Sequence, residues 1–245
     1  MQKEIAIVTG AGKGIGRAIA ERLVADGFYV LLVDQDRVAG EKAVEEIGNK
    51  DAAFFQADIS NEAQVKALFI EADKLYGRVD VLVNNAGIIR DNMIWNMEAV
   101  DFDLVIQVNL KGSWLMCREA AIRMKEKQQG RIINIASRAW LGNRGQTNYS
   151  ASKAGVIGMS RALALEMGKY NVAVNVVAPG LIETPLTASI KKEALDKLIA
   201  AQPTKTMGKP EDVAHTVSFL ASPKTSFITG QTFYVDGGKS IGAGI

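Results

Sequence analysis

The stretch Lys3–Gly27, KEIAIVTGAGKGIGRAIAERLVADG, decides how this chain folds. Its apolar run Ile5–Thr9 predicts a buried strand, and the residues after the glycines repeat apolar positions at helical spacing. The turn between them reads Gly10-x-x-x-Gly14-x-Gly16, which fits neither G-x-G-x-x-G nor the G-K-[ST] of a P-loop. Glycines let a diphosphate approach the backbone closely, and the helix N-terminus supplies amide donors. The stretch predicts a nucleotide-binding strand-turn-helix unit, with a tight turn that binds no ligand as the alternative.

Strand-like segments alternate with amphipathic helices through the rest of the chain. They are Phe28–Val33, Ala52–Gln56, Val79–Val83, Arg131–Ile135, Val172–Val177 and Gln231–Val235. With the first strand they make seven strands in βαβ order, which predicts an α/β fold with one doubly wound, seven-stranded parallel sheet. The 245 residues show no internal repeat and no linker-like composition shift, so we expect a single domain over residues 1–245.

Polar or turn-forming residues follow the predicted strands at their carboxyl ends, the edge at which doubly wound sheets bind ligands. In chain order these are Gly10, Asp34, Asp58, Asn84, Ser137 and Pro179. Asn84 and Asn85 have a second interpretation, in which their side chains cap backbone groups of a strand-end turn. The placement predicts one site along this edge of the sheet.

Asp34 ends the second strand, close to the place where an acidic residue binds the adenosine ribose hydroxyls in dinucleotide folds. Its carboxylate would repel a 2′-phosphate, so it favours NAD(H). Lys13 lies within the glycine turn and could pair with that phosphate, so NADP(H) remains the alternative. A carboxylate both accepts the hydroxyl hydrogen bonds and penalises the phosphate, and Asp34 therefore carries more weight.

Tyr149 and Lys153 lie four positions apart in NYSASKAGVIGMSRALALEMG, a stretch that predicts one helix, and Ser137 ends the apolar run RIINIAS. That spacing puts a phenol and an ammonium on one helix face, about 5–6 Å apart at Cβ. A tyrosine with a pKa near about 10 is a poor base, but a neighbouring cation stabilises its phenolate. The pair indicates chemistry at a carbonyl or carbinol, whereas a chance pair on a solvated helix edge is the alternative.

Composition excludes several other functions. The net charge of +2 and the dispersed basic residues do not favour nucleic acid or an anionic membrane as a partner. No apolar run reaches about 18 residues and no signal-peptide pattern precedes the first strand, so we expect a cytoplasmic protein. Cys117, expected to be a buried thiol, and His215 are the only cysteine and histidine. No metal site and no histidine-based catalytic triad are therefore predicted.

Taken together, the motifs resemble the short-chain dehydrogenase/reductase family, and within it most of all the 3-oxoacyl-[acyl-carrier-protein] reductases. The matching elements are Thr9–Gly16, Asn84–Gly87, Asn109 in VNLKG, Ser137, Tyr149–Lys153, Pro179–Gly180 followed by Thr184, and the closing ITGQTFYVDGG. The resemblance spans nearly the whole chain and implies a single-domain Rossmann fold that binds a nicotinamide dinucleotide.

The resemblance implies a four-residue catalytic site. Tyr149 would exchange a proton with the substrate oxygen, and Ser137 would hydrogen-bond and orient that oxygen. Lys153 would lower the pKa of Tyr149 and bind the nicotinamide ribose. Asn109 would hold a water that relays protons, although it could mainly bridge a helix to a neighbouring strand.

The resemblance also implies the cofactor contacts. Asp58 and Ile59 would flank the adenine, and Pro179 to Thr184 would cover the nicotinamide. The full expected set is Gly10, Lys13, Gly14, Ile15, Gly16, Asp34, Asp58, Ile59, Asn85, Ala86, Gly87, Tyr149, Lys153, Pro179, Gly180, Ile182 and Thr184.

A partly apolar ketone or alcohol, in one version a 3-oxoacyl thioester, is the expected substrate. Its wall would come from Ser137, Trp140, Asn143, Tyr149 and Leu181, with residues 185–208 as a movable lid. Arg131 could contact an acidic carrier protein. A homotetramer is expected, with subunit contacts from the apolar residues Val105, Val108, Leu110, Trp114, Leu115 and Met116.

Three functions follow from these expectations. The first is an NAD(H)-dependent oxidoreductase that interconverts a ketone and its secondary alcohol, with Tyr149 as general acid/base. The second is an NADPH-dependent 3-oxoacyl-[acyl-carrier-protein] reductase of fatty acid synthesis. The third is a dinucleotide-binding sensor or scaffold without turnover.

Overall fold

One parallel sheet organises the computed structural model, which describes residues 3–48 and 50–241. Its strands are β1 (Ile5–Thr9), β2 (Tyr29–Asp34), β3 (Ala52–Gln56), β4 (Val81–Asn84), β5 (Gly130–Ile135), β6 (Val172–Pro179) and β7 (Thr232–Val235). They lie in the order β3-β2-β1-β4-β5-β6-β7, and every pairing is parallel. The connections reverse direction between β1 and β4, which opens a crevice at the carboxyl ends of these strands. The predicted seven-stranded Rossmann architecture is confirmed.

Helices cover both faces of the sheet. They are α1 (Gly14–Ala25), α2 (Arg37–Ile47), α3 (Glu62–Tyr76), α4 (Ala99–Val105), α5 (Ser113–Lys127), α6 (Thr147–Met167), α7 (Lys192–Ala200) and α8 (Pro210–Ala221). A π-helical segment, Ile106–Gly112, joins α4 to α5. Buried residues of α1 and α8 belong to one core cluster, and those of α3 and α5 belong to the other.

The pleat of each strand divides its side chains between the two cores. In β2, Val30 and Leu32 pack into the core beneath α1, whereas Leu31 and Val33 pack into the core beneath α3. Full burial of one such side chain stabilises the fold by about 1.5–3 kcal/mol, so strands that are apolar on both faces must lie between two helical layers.

Strand ends differ from the predicted ones by a few residues. Val79 is buried but precedes β4, and the Asp80 carboxylate beside it accepts a hydrogen bond from the Ile5 amide at 2.8 Å, where β1 begins. β6 continues beyond Val177 to Pro179, since a proline at the last strand position costs few ladder hydrogen bonds.

Two expectations about surface residues need correction. Val105, Leu115 and Met116 are fully buried in the chain's own core and are therefore not available as subunit contacts. Arg131 is only 5% exposed and pairs with Glu4 at 2.6 Å, so its guanidinium does not face an acidic carrier protein. Burial of an arginine requires such a partner, and Glu4 supplies it.

The expected lid, residues 185–208, lies between β6 and α8. It contains a short 3₁₀ turn at Thr187–Ser189 and helix α7. Over the part of the chain that the structure describes, no helix has both the length and the apolar content needed to cross a bilayer.

Candidate active site

The glycine turn between β1 and α1 has a conformation that lets a ligand approach its backbone closely. Gly14 has a left-handed φ of 57°, and a Cβ on Gly16 would lie 2.2 Å from the Gly10 carbonyl oxygen. Lys13 occupies the N-cap of α1 and gives no side-chain hydrogen bond to the first turn, which also carries no acidic residue. The helix N-terminus therefore offers amide donors and a positive dipole end, and these features fit a diphosphate.

Asn85 ties the glycine turn to the end of β4. Its Nδ2 donates to the carbonyl oxygens of Thr9 at 3.0 Å and Gly10 at 3.1 Å. The backbone amides of Asn85 and Ala86 both donate to Thr9 Oγ1 at 3.0 Å. The capping interpretation of Asn85 is therefore correct, and the capped turn forms one wall of the crevice.

Asn84 points into the interior instead. Its Nδ2 donates to Asn134 Oδ1 at 2.8 Å and lies 3.2 Å from Cys117 Sγ. Burial raises the pKa of Cys117 to about 12, against the lowering effect of its hydrogen bonds to Asn134 and Asn84. Cys117 is therefore a buried thiol, as predicted.

Asp34 stands at the rim of the crevice beside the glycine turn. Its Oδ2 accepts a hydrogen bond from the Gly12 amide at 3.0 Å, and its Oδ1 accepts one from the Asp36 amide at 3.0 Å. These bonds hold the carboxylate in a fixed orientation. The exposed Lys13 borders the same crevice, so both residues that were predicted to bear on cofactor choice lie at its rim.

The crevice has a volume of about 600 Å³, within the range of small-molecule sites. Of the expected cofactor contacts, it is lined by Gly10, Lys13, Gly14, Ile15, Asp34, Asp58, Ile59, Asn85, Ala86, Gly87 and Thr184. Arg90, Leu104 and Val108 also line it and were not predicted as cofactor contacts. Arg90 follows Gly87 by three residues and could have been inferred from that strand-end turn, whereas Leu104 and Val108 lie on α4 and the π-helical segment, away from any strand end.

Six expected cofactor contacts lie outside this lining, namely Gly16, Tyr149, Lys153, Pro179, Gly180 and Ile182. Pro179 is the buried last residue of β6, and Gly180 packs so closely on Asp236 that a Cβ would lie 2.7 Å from the Asp236 Cα. Ile182 is buried against Gly208. Ile182 and Leu181 border a second cavity of about 530 Å³ near the end of β7.

Tyr149, Lys153 and Ser137 come together where β5 ends and α6 begins. Lys153 Nζ donates to the Ile135 carbonyl oxygen at 2.8 Å and lies 5.6 Å from the centre of the Tyr149 ring. Ser137 Oγ accepts from the Ala139 amide at 3.1 Å, and the Ser137 side chain acts to lower the pKa of the Tyr149 phenol. The structure therefore brings these three predicted residues to one place.

Burial dominates the proton equilibria of the cluster. It raises the pKa of Tyr149 to about 12, while the hydrogen bond with Ser137 acts to lower that pKa and the charge of Asp91 acts to raise it. Burial also lowers the pKa of Lys153 to about 8. Lys153 is not among the groups that shift the pKa of Tyr149, so its expected lowering of that pKa stays a prediction, and the phenol holds its proton at neutral pH.

Asn109 lies in the π-helical segment and is fully buried. Its Oδ1 accepts from the Ile88 amide at 2.8 Å, and its Nδ2 donates to the Ile88 carbonyl oxygen at 3.0 Å and to Ser152 Oγ at 3.2 Å. Ser152 Oγ in turn donates to the Tyr149 carbonyl oxygen at 2.7 Å. The bridging role of Asn109 is therefore present, between the segment after β4 and the helix of Tyr149.

The remaining expected substrate residues make contacts that the sequence did not reveal. Trp140 Nε1 donates to the Tyr234 hydroxyl at 2.9 Å, and Asn143 Nδ2 donates to Gln146 Oε1 at 2.9 Å. Gln146 Nε2 donates to Asp91 Oδ2 at 2.8 Å. The Trp140–Tyr234 and Gln146–Asp91 pairings join residues far apart in the chain and leave no local signal.

The fold and the site define a class of protein, a dinucleotide-binding α/β protein with a tyrosine, a lysine and a serine beside the crevice. A family model described as enoyl-(acyl carrier protein) reductase matches residues 10–240. The chain belongs to the short-chain dehydrogenase/reductase family, and it is an oxidoreductase that acts on CH-OH groups with a nicotinamide dinucleotide.

Three relatives match the chain over nearly its whole length. The (2S)-[(R)-hydroxy(phenyl)methyl]succinyl-CoA dehydrogenase subunit BbsD of Thauera aromatica is 42% identical, over 100% of this chain and 99% of its own. The 3-oxoacyl-[acyl-carrier-protein] reductase FabG of Aquifex aeolicus (strain VF5) is 40% identical, over 97% and 98%. Nodulation protein G of Rhizobium sp. (strain N33) is 44% identical, over 96% of each chain.

Proposed function

We propose that this protein is an NAD(H)-dependent oxidoreductase that interconverts a 3-oxoacyl thioester and its 3-hydroxyacyl form. The observation that carries the proposal is the meeting of Tyr149, Ser137 and Lys153 at the end of β5. A phenol that keeps its proton at neutral pH is a suitable donor to a developing alkoxide. Tyr149 and Ser137 together would provide two hydroxyls for one substrate oxygen.

The chain's own residues divide the reaction among them. Tyr149 gives its phenolic proton to the ketone oxygen during reduction and takes it back during oxidation. Ser137 donates to the same oxygen and fixes its position. Lys153, anchored on the Ile135 carbonyl oxygen, places positive charge near the phenolate that forms. A bound nicotinamide supplies the hydride donor or acceptor at its C4 position.

The preference for NAD(H) follows from Asp34. The carboxylate is fixed by the Gly12 and Asp36 amides at the rim of the crevice, where it can accept ribose hydroxyl hydrogen bonds. A 2′-phosphate at the same place would bring two negative charges together, which costs several kcal/mol. The glycine turn would hold the diphosphate, with Asp58 and Ile59 beside the adenine.

Relatives whose names specify acyl thioesters support the substrate class. Two observations favour a coenzyme A thioester over one carried on a protein. One relative is named for a CoA substrate. In addition, Arg131 is buried against Glu4 and offers no basic contact for an acidic carrier.

A second candidate is an NADPH-dependent 3-oxoacyl-[acyl-carrier-protein] reductase. Lys13 at the crevice and the relatives named FabG favour it. A sensor or scaffold without turnover is a third candidate, which the clustering of three reactive side chains disfavours.

We also propose a cytoplasmic homotetramer. Large apolar side chains remain exposed around α4 and α5, among them Trp95, Val100 and Trp114, with Trp95 73% exposed. Contact with further copies of the chain would remove them from water. Sedimentation at micromolar concentration should give a tetramer; a monomer alone would contradict this assembly.

The function is tested by reduction of acetoacetyl-CoA with NADH and with NADPH in parallel, followed through the loss of reduced nicotinamide absorbance. We expect turnover with NADH at least about tenfold above that with NADPH, as about 1.4 kcal/mol of discrimination gives. Turnover with NADPH alone, and only on an acyl-carrier-protein thioester, would instead establish the second candidate. Absence of turnover on 3-oxoacyl thioesters of either carrier would refute the proposed substrate class.

A further inference from the structure

The segment that follows β4 holds the start of α6, the helix of Tyr149. Three consecutive residues of this segment, 90 to 92, make three hydrogen bonds to residues 145 to 148. The bonds join Asn148 Nδ2 to the Arg90 carbonyl oxygen at 2.8 Å, Gln146 Nε2 to Asp91 Oδ2 at 2.8 Å, and the Asn92 amide to the Gly145 carbonyl oxygen at 2.9 Å.

Gln146 is the centre of this contact. It is only 8% exposed and occupies the N-cap of α6, three residues before Tyr149. Its Oε1 accepts from Asn143 Nδ2 at 2.9 Å, and its carbonyl oxygen accepts from the Ser150 amide at 2.7 Å. Both polar atoms of the buried side-chain amide, Nε2 and Oε1, thus have hydrogen-bond partners, and removal of either bond would leave a buried polar group unpaired.

The same segment forms a wall of the cofactor crevice. Ile88 and Arg90 line the crevice, and Asn109 fixes the Ile88 backbone with two hydrogen bonds. The position of Tyr149 relative to a bound nicotinamide therefore depends on how firmly α6 is attached to this segment. A displacement near 1 Å can cost about a hundredfold in rate.

We propose that Gln146 and Asp91 form a positioning pair that fixes the start of α6, and with it the Tyr149 phenol, against the wall of the cofactor crevice. The proposal rests on the proposed role of Tyr149 as general acid/base. Neither residue touches the reacting atoms in this arrangement; they act through the helix.

The charge of Asp91 gives the pair a second effect. Its carboxylate raises the pKa of Tyr149, in the same direction as burial, whereas Lys153 on α6 presents a positive charge to the phenol. The other charged groups on elements packed against the start of α6 are half-buried or exposed. They include Arg90 beside Asp91, Asp101 and Asp103 on α4, Lys111 in the π-helical segment and Arg138 after β5. On α5, Arg118 and Arg123 pair with carboxylates of α3.

Two variants separate position from charge. Gln146→Met keeps the length of the side chain and removes both of its hydrogen bonds. Asp91→Asn keeps an acceptor for Gln146 and removes the charge. Asp101→Asn is the matched control, because it also removes a nearby carboxylate, one that lies 3.8 Å from Arg90 and makes no contact with Gln146.

Each variant is examined by steady-state kinetics, by dinucleotide binding and by NMR titration of ring-labelled tyrosine. The chain has five tyrosines, and the Tyr149 signal is identified by its loss in Tyr149→Phe. We expect Gln146→Met to lower kcat about tenfold with KM and dinucleotide affinity nearly unchanged. We expect Asp91→Asn to move the Tyr149 titration to lower pH and to keep kcat within about threefold, while Asp101→Asn behaves as the wild type.

Two results would overturn the pair, namely a wild-type kcat in Gln146→Met, or a Tyr149 titration that is equally unmoved in Asp91→Asn and Asp101→Asn. If Gln146→Met fails to fold, the titration of Asp91→Asn decides alone. The titration needs no turnover, so the two proposals can fail separately. If the enzyme is inactive on thioesters but the Tyr149 signal shifts in Asp91→Asn, the inactivity refutes the proposed substrate and the shift supports the pair.

Discussion

The ammonium nitrogen of Lys153 lies 5.6 Å from the centre of the Tyr149 ring and is held there by the carbonyl oxygen at the end of β5. One hydrogen bond thus fixes a charge beside the phenol, and no carboxylate of residues 3–48 or 50–241 forms an ion pair with it. Burial without a counter-ion lowers the pKa of Lys153 to about 8, so the positive charge is maintained at a cost to the folded state. The following predictions concern this cost and the residues around it.

Tyr149→Phe should reduce turnover by about 10²- to 10⁴-fold, the usual contribution of a general acid/base, because only the proton donor is lost. Dinucleotide affinity should change little, since the ring and the helix remain. Tyr170→Phe is the control, because it also removes one phenolic hydroxyl, from a ring that packs under Lys125 and Lys169. Comparable rates in Tyr149→Phe and Tyr170→Phe would rule out the mechanism.

Asp34→Ser should raise the ratio of NADP(H) to NAD(H) use by about tenfold or more, because the charge that opposes a 2′-phosphate is removed. The measurement is kcat/KM with each dinucleotide. Asp36→Asn removes a charge from the same rim, where Asp36 Oδ1 accepts from the Ala39 amide at 3.1 Å. An equal change in both variants would show that general electrostatics, rather than Asp34, sets the preference.

Lys153→Met should stabilise the protein at neutral pH while it inactivates the enzyme. The pKa of Lys153 is lowered from 10.5 to about 8 on folding, so the unfolded chain binds more protons between these values. The penalty is therefore full below about pH 8 and disappears as pH rises towards 10.5. A shift of this size corresponds to at most about 3 kcal/mol, before the lost hydrogen bond to Ile135 is subtracted.

Melting temperatures of wild type and Lys153→Met, at one protein concentration across this pH window, test that prediction. The difference should be largest near neutral pH and should narrow as pH rises. Lys111→Met, which replaces an exposed lysine of the π-helical segment, serves as the control. A stability difference that does not vary with pH would contradict the argument.

Cys117 should resist alkylation by iodoacetamide in the folded protein at about pH 8 and react readily in denaturant. Burial raises its pKa to about 12, so almost no thiolate forms, and the side chain is closed to the reagent. The chain has one cysteine, so mass spectrometry gives a single readout. Rapid modification of the native protein would show that this part of the core opens.

Gly16→Ala should destabilise the protein and weaken dinucleotide binding, because the added Cβ would lie 2.2 Å from the Gly10 carbonyl oxygen and 2.4 Å from Asn85 Nδ2. Gly168→Ala is the matched change at a helical position with nothing within 4 Å. It should be neutral or stabilise the fold by up to about 1 kcal/mol. Denaturant unfolding and dinucleotide titration distinguish the two sites.

The sequence was sufficient for the fold, and for the proximity of the candidate site residues, because the signals for both are local. The strand, the glycine turn and the helix follow one another in Lys3–Gly27, and Tyr149 and Lys153 share one helix. The parallel sheet then places the ends of the strands at one edge. Contacts between distant segments have no such signal: Gln146 with Asp91, Trp140 with Tyr234, and Arg131 with Glu4 depend on packing. Burial likewise outweighs charge in setting the pKa of Tyr149, and this burial depends on how the helices pack around the ring.

Asp34 lies at the end of β2, whereas Ser137 follows β5 and Tyr149 lies on the helix after it. The residue proposed to select the dinucleotide is thus different from the residues proposed to move the proton. Cofactor choice and proton transfer can therefore change independently through single substitutions. A related protein could therefore change its preference for one cellular dinucleotide pool over another by substitution at the end of β2, and keep the same proton-transfer residues.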